Sequence, residues 1–193
     1  HPLALACAPR QTLLRPKEIE AKSFEREVQK EAIFGGAPVL SSTAATRPSL
    51  VGDRLRLDQD DAAVQVDAAG GILITQPATE QSREFGMTSL IEEDIAERLD
   101  QALRFALWLL DRIDPKGRAS HVVPAVRLAA TYQPWRTRAE QQRRPNVGTI
   151  SMGGETPEVV ILTPPSFRRE ALAARRAEVV EDLVALLRRG RVG

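Results

Sequence analysis

Between Ser89 and Ile113 apolar residues return every three or four positions: Ile91, Ile95, Leu99, Ala102, Leu103, Ala106, Leu107, Leu110 and Ile113. That period belongs to an amphipathic helix. Ser89 with Glu92 three residues on fits a capping box, and Glu92, Glu93 and Asp94 stand where a helix N-terminus favours anions. At 1.5 Å per residue the span is roughly 37 Å, long enough to cover the face of a sheet. Asp114-Pro-Lys-Gly117 closes it. A helix this long with one apolar stripe requires the rest of the chain to supply what it packs on.

The strands are the next signal. Val64 and Val66 alternate with polar neighbours, Asp67 to Gly71 holds a two-glycine turn, and Ile72 and Ile74 alternate on the return, which predicts a hairpin over residues 62–76. Pro77 stops it. His121 to Tyr132 reads as a strand through Val122, Val126, Leu128, Ala130 and Tyr132, with Pro124 pushing it toward an edge or a bulge. A short extended piece, Val147 to Met152, and a better strand, Glu158 to Thr163, follow an Arg-rich loop. The last helix starts after Thr163-Pro-Pro165 with Ser166 as N-cap and carries Leu172, Val179, Val180, Leu183 and Leu187. The order from residue 62 is β-β-α-β-β-α. It predicts an α+β two-layer sandwich, an antiparallel sheet with two long helices on one face.

Ahead of this lies a helical and irregular N-terminal arm. Lys17 to Ile33 predicts a charged helix with a narrow stripe of Ile19, Phe24, Val28 and Ala32, an i,i+4 pair Glu18–Lys22, and a stop at Gly35-Gly36. Residues 37–50 are small, polar and broken by proline, a linker. The domain reading is therefore an arm over 1–50 and an α+β domain over 51–193. The chain begins with His1 rather than Met, which reads as a piece of a larger protein. Leu3 to Ala8 is too short for a signal-peptide core and lacks a basic leader, so the expected compartment is the cytoplasm.

Composition removes several function classes. With 42% apolar and 27% charged residues the chain is an ordinary globular one, and its net charge of +1 gives no global pull toward nucleic acid or membrane. One Cys and two His rule out an internal disulfide framework and the usual structural zinc sites. No stretch approaches the roughly 20 apolar residues that cross a bilayer. The distribution of charge says more than its sum. Residues 51–113 hold 6 basic and 13 acidic side chains, net −7, whereas residues 114–193 hold 14 basic and 8 acidic, net +6. Two faces of one fold that attract one another account for this; an exposed basic face awaiting a polyanion is the other reading.

Chemistry-bearing residues are sparse. His121 opens a strand and His1 lies at the chain end, so no base for a hydrolytic triad is evident, and Cys7 lies outside the expected core without a neighbouring His. Asp58-Gln-Asp60-Asp61 lacks the Gly and Glu of a calcium loop and reads as a solvated turn. Glu20-Ala-Lys22 matches half of a metal-dependent nuclease motif but stands on a charged helix without the upstream acid. The glycine pairs sit in no phosphate-binding pattern. No catalytic residue, metal site or cofactor is assigned.

One segment stands above background. Tyr132, Trp135, Arg136, Arg138, Arg143 and Arg144 share a loop with one acid, Glu140. Guanidinium groups fit phosphates and aromatic faces stack unpaired bases, which makes these six the candidate nucleic-acid-binding residues. The alternative is a β-connection whose Trp135 folds back on the sheet. Phe105, Trp108 and Phe167 read as packing residues, and the arginines of the last helix as a solvated face paired with Glu170, Glu178, Glu181 and Asp182.

The run GILITQP, the helix with ALRFALWLL, the strand VVPAVRLAATY, then PWRTRAEQQRRPN and the closing EDLVALLRR resemble the C-terminal companion region of bacterial proteins with an AlbA_2 (Schlafen-like) DNA-binding domain. The likeness covers residues about 62–190 and rests on element order and the Trp-Arg-Thr-Arg loop; the AlbA_2 domain itself is not recognisable in this sequence. It carries no site residue over. The expectation is a non-catalytic regulatory or protein-interaction module of a larger cytosolic bacterial protein, its partner another domain of the parent chain or a second copy, with no membrane. A nucleic-acid-binding module for DNA or RNA is the alternative, and a metal-dependent nuclease the third.

Overall fold

Alternation of apolar and polar residues builds the sheet strand by strand. In a computed structural model that describes residues 2–7, 12–78, 89–129, 133–143, 158–162 and 166–190, the hairpin expected over 62–76 is β4 (Ala63–Asp67) and β5 (Ile72–Pro77). Asp67 takes the turn's strain. Its Oδ1 accepts the Gly71 N–H at 2.8 Å, and Gly70 has φ +86°, a backbone conformation that side chains disfavour.

Seven strands join in one sheet, in the order β10 (Glu158–Leu162), β8 (Pro124–Ala129), β1 (Pro2–Cys7), β5, β4, β3 (Arg54–Asp58), β2 (Arg47–Val51). Every pairing is antiparallel. Leu57, Val64, Ile74, Leu5, Val126 and Ile161 fall in one row across six of these strands. Among these, Leu57, Val64, Ile74 and Val126 are buried. This is the expected α+β sandwich, with the helices on the buried face.

The first fifty residues belong to the same body. β1 sits between β5 and β8, so the backbone of Cys7 lies opposite both Ile72 and Pro124 rather than outside the core. A boundary at residue 50 would cut β2. The segment read as a linker is held by two buried amides: Gln76 Nε2 donates to the Val39 carbonyl at 2.9 Å, and Gln59 accepts the Ser41 N–H while donating to the Ser41 carbonyl and Thr46 hydroxyl. Buried amides need such partners, and here the partners are the loop backbone. Small polar composition marked a loop correctly only as far as Thr46, since residues 47–50 belong to strand β2, and it gave no sign of the loop's attachment.

The arm's helix is two: α1 (Pro16–Ile19) and α2 (Lys22–Phe34). Ile19 and Phe24 are five residues apart, about 140° around an unbroken helix, whereas Phe24, Val28 and Ala32 are in line. The extended Ala21 between the helices lets Ile19 reach the same core, and all four are buried. The break also undoes the expected Glu18–Lys22 pair: Lys22 bonds Glu25 at 2.7 Å instead.

The long helix, α3 (Glu92–Ile113), buries Ile95, Leu99, Ala102, Leu103, Phe105, Ala106, Leu109, Leu110 and Ile113. It packs on β1, β5 and the C-terminal helix α6 (Arg176–Gly190). Ser89 is not its cap. Leu90–Ile91 forms β6, paired in parallel with β9 (Trp135–Arg136), and the helix starts only after it. At the far side β7 (His121–Val122) leaves the main sheet to pair with β11 (Phe167–Arg168), and Pro124 opens β8 where a strand tolerates proline best. Where the last helix was expected to start, Phe167 and Arg168 form β11 instead, and α5 (Arg169–Ala174) follows with Arg168 rather than Ser166 at its cap position. Leu172, Val179, Val180, Leu183 and Leu187 are buried as their spacing predicts. The piece expected at 147–152 lies outside the described residues.

Candidate functional site

The loop that carries the candidate residues is a clip on the N-terminus of α3. β9 pairs with β6, and the Leu90 N–H donates to the Pro134 carbonyl at 2.9 Å. The half-buried Trp135 donates its indole N–H to Glu92 Oε2 at 2.6 Å and packs against the core. Arg188 of α6 donates to the same oxygen at 3.2 Å. Arg138 donates its backbone N–H to Glu93 at 2.8 Å and its guanidinium to Asp94 at 2.6 Å. That hydrogen bond with Asp94 raises the Arg138 pKa above the ordinary arginine value.

The remaining candidates divide in two. Arg136 donates to Gln141 at 3.3 Å, and with Arg143, Trp135 and Glu140 it lines a hollow of about 450 Å³. Tyr132 and Arg144 lie outside the described residues. The reach of this loop is limited from within: Thr137 and Glu140 cap the short helix α4 (Arg138–Arg143) reciprocally, with Thr137 N–H to Glu140 at 2.8 Å and Glu140 N–H to the Thr137 hydroxyl at 3.2 Å. The Thr137 N–H holds the Glu140 carboxyl below the usual carboxylate range. The signal was in the sequence, since Thr137-Arg-Ala-Glu140 has capping-box spacing.

The uneven charge is spent largely between elements. Arg176 pairs with Asp100, Arg188 with Glu92, Arg138 with Asp94 and Arg169 with Asp111, each a basic residue of the last third on an acid of α3. The arginines of the last helix were expected to pair with acids of their own helix, but only Arg175–Glu178 does so among the described pairs. A helix face turned toward an acidic neighbour offers shorter routes to neutralisation than its own next turn.

Asp114, read as part of a helix stop, is a buried and multiply hydrogen-bonded acid. Its carboxylate is wholly buried, accepts the Ala119 N–H at 2.7 Å and the Arg118 Nε at 3.2 Å, and lies 3.7 Å from Arg169. Burial pushes this carboxyl up, but the Ala119 and Arg118 backbone N–H groups and the Arg118 guanidinium outweigh it and hold it below the usual range. Arg118 also donates to the Leu13 carbonyl at 2.8 Å and Arg169 to the Asp114 carbonyl at 3.2 Å. The cluster ties α3, α5 and the segment before α1 together. A pattern of Asp followed by Pro-Lys-Gly gives no hint of it, because Arg169 and Leu13 arrive from distant parts of the chain.

Among the described residues no three His, Cys, Asp or Glu side chains converge on a point that could hold a metal. Asp60 is the exposed turn residue expected and pairs with Arg47, whereas Asp58 ends β3 and pairs with Arg56, and Gln59 between them is buried. No helix of the described residues is long and apolar enough to cross a membrane. Compared with known proteins, the chain matches no family model, and no curated protein or solved structure is significantly similar to it.

Proposed function

We propose that this chain is a non-catalytic regulatory or protein-interaction module of a larger cytosolic bacterial protein, acting through the outer face of its sheet. One observation carries the reading: that face has no helix of the described residues on it, while the opposite face is covered by α3 and α6. Leu73 stands on it, 36% exposed, with the exposed Arg54 and Arg56 of β3 and Arg127 of β8 each two strands away on the same face. Strand addition at β2 is a poorer route. The two-residue turn Gly52-Asp53, with positive φ at Gly52 alone, makes Val51 and Arg54 the hydrogen-bonded pair that closes the hairpin. Alternation then turns the nitrogen of Pro48 to the open edge, where it has no proton to donate.

A photo-crosslinking residue at position 73 of the parent protein, in its native host, tests this. Crosslinks to another domain of that protein or to a second copy support it; yields no higher than those of the same probe at Gln142 overturn it.

A second reading, binding of DNA or RNA, is supported by the hollow that Trp135 shares with Arg136 and Arg143. Titrating labelled single- and double-stranded oligonucleotides at two salt concentrations separates the two. Binding through several arginines weakens steeply with salt, and no binding at low salt removes this reading.

A further inference from the structure

A cleft of about 680 Å³ lies between α1–α2 and the C-terminal end of α3. Its volume is within the range of small-molecule sites. The walls include the buried apolar side chains Leu13, Leu14, Phe24 and Ile113. Around them stand Arg15, Arg112, Lys116 and Arg118. We propose that this cleft binds a small amphipathic oxyanion, a carboxylate or phosphate head on an apolar body.

Two of the four cations have structural duties. Arg112 donates to Glu27 at 2.6 Å, and Arg118 is committed to Asp114 and Leu13. Each still has guanidinium donors to spare, since five N–H bonds are present and these contacts use one or two. Arg15 and Lys116 have no carboxylate partner among the described residues. The negative pole of α3 explains cations on its own last turn and the turn beyond it. It does not explain Arg15, which lines the same cleft from the residue before α1. Two carboxylates stand against these four cations in the lining: Glu18, which accepts the Arg15 N–H at 2.7 Å and favours the charged Arg112, and Asp114, which is paired with Arg118 and with Arg169. Cations converge over apolar walls, and a ligand with one charged end and one greasy end satisfies both.

The proposal does not depend on the sheet-face reading. The full chain is titrated with 8-anilinonaphthalene-1-sulfonate, an oxyanion on an aromatic body, and fluorescence is read at two salt concentrations. Octanoate and inorganic phosphate are then added as competitors. Octanoate displacing the dye well below the phosphate concentration needed assigns both halves of the site; the reverse order, or no dye binding, overturns it. The double variant Arg15→Ala/Lys116→Ala weakens dye binding tenfold or more and flattens its salt dependence. Arg26→Ala/Lys30→Ala, which removes two exposed cations of α2 outside the cleft, leaves it unchanged. Equal loss in both variants, or none in either, overturns the proposal, with far-UV circular dichroism and urea midpoints confirming that each variant is folded.

Discussion

The two ends of α3 use the same kinds of side chain to opposite effect. At the N-terminal end Glu92, Glu93 and Asp94 are each taken by a donor from the clip or from α6, and Trp135 is drawn in with them. At the C-terminal end Asp114 satisfies its own cluster, while Arg15 and Lys116 are left facing a cleft with no carboxylate paired to either among the described residues. Arginine count alone therefore says little about where a ligand goes. The segment richest in arginine and aromatic side chains is the one whose donors are largely spent on the fold, and the end with an ordinary sequence keeps the uncommitted charge.

Removing Asp114 breaks the contrast most severely. Asp114→Ala strands the Ala119 N–H and leaves Arg169, with its side chain 12% exposed, without that partner. The expected loss is about 3 kcal/mol, read as a lowered urea midpoint, because an unpaired group in a buried ionic cluster costs more than the pair contributed. A loss below about 1 kcal/mol, the size of an exposed pair, would make the cluster incidental.

Trp135→Ala comes next. The ring is half-buried, so the expected destabilisation is about 2 kcal/mol, less than the roughly 3–5 kcal/mol of a fully buried ring. Trp135→Phe separates the indole hydrogen bond to Glu92 from the packing by keeping most of the apolar surface.

The pH dependence of stability is smaller and has a definite sign. The folded Asp114 carboxyl lies below its unfolded value, so the unfolded chain binds the proton more readily and stability rises with pH across the interval between the two. The contribution is complete above about pH 4, the ordinary aspartate range, and is lost as pH falls through the folded value. In Asp114→Ala the acid limb of the urea midpoint against pH should flatten relative to the parent; an unchanged limb assigns the acid sensitivity elsewhere.

Arg138→Ala is expected to leave the urea midpoint within error, since its pair with Asp94 is exposed. If the same variant abolished oligonucleotide binding, the clip would have a second use and the comparison between the helix ends would fail.

Capping shows how far local pattern can be trusted. Ser89-x-x-Glu92 and Thr137-x-x-Glu140 carry the same signature, yet only the second caps a helix. Before α3, Leu90 and Ile91 are claimed by β9, and Glu92 accepts from Trp135 and Arg188 rather than reaching back to a cap. A tryptophan more than forty residues away decides what Glu92 does. Most strands and the apolar stripes of the helices were legible because burial imposes periods of two and 3.6 directly on the residue order. The central position of β1 was not, because a short strand has no local signal of which edges it will meet.

What the sequence determined by itself is therefore the set of amphipathic elements, their approximate limits and the opposition of an acidic middle to a basic end. Tertiary structure alone decided that residues 2–7 fill the centre of the sheet, that Asp114 is buried among cations, and which arginines meet an acid. Apolar periodicity is written in neighbouring residues, whereas a charge is neutralised by whatever the fold brings within about 4 Å, and that distance is set across the whole chain.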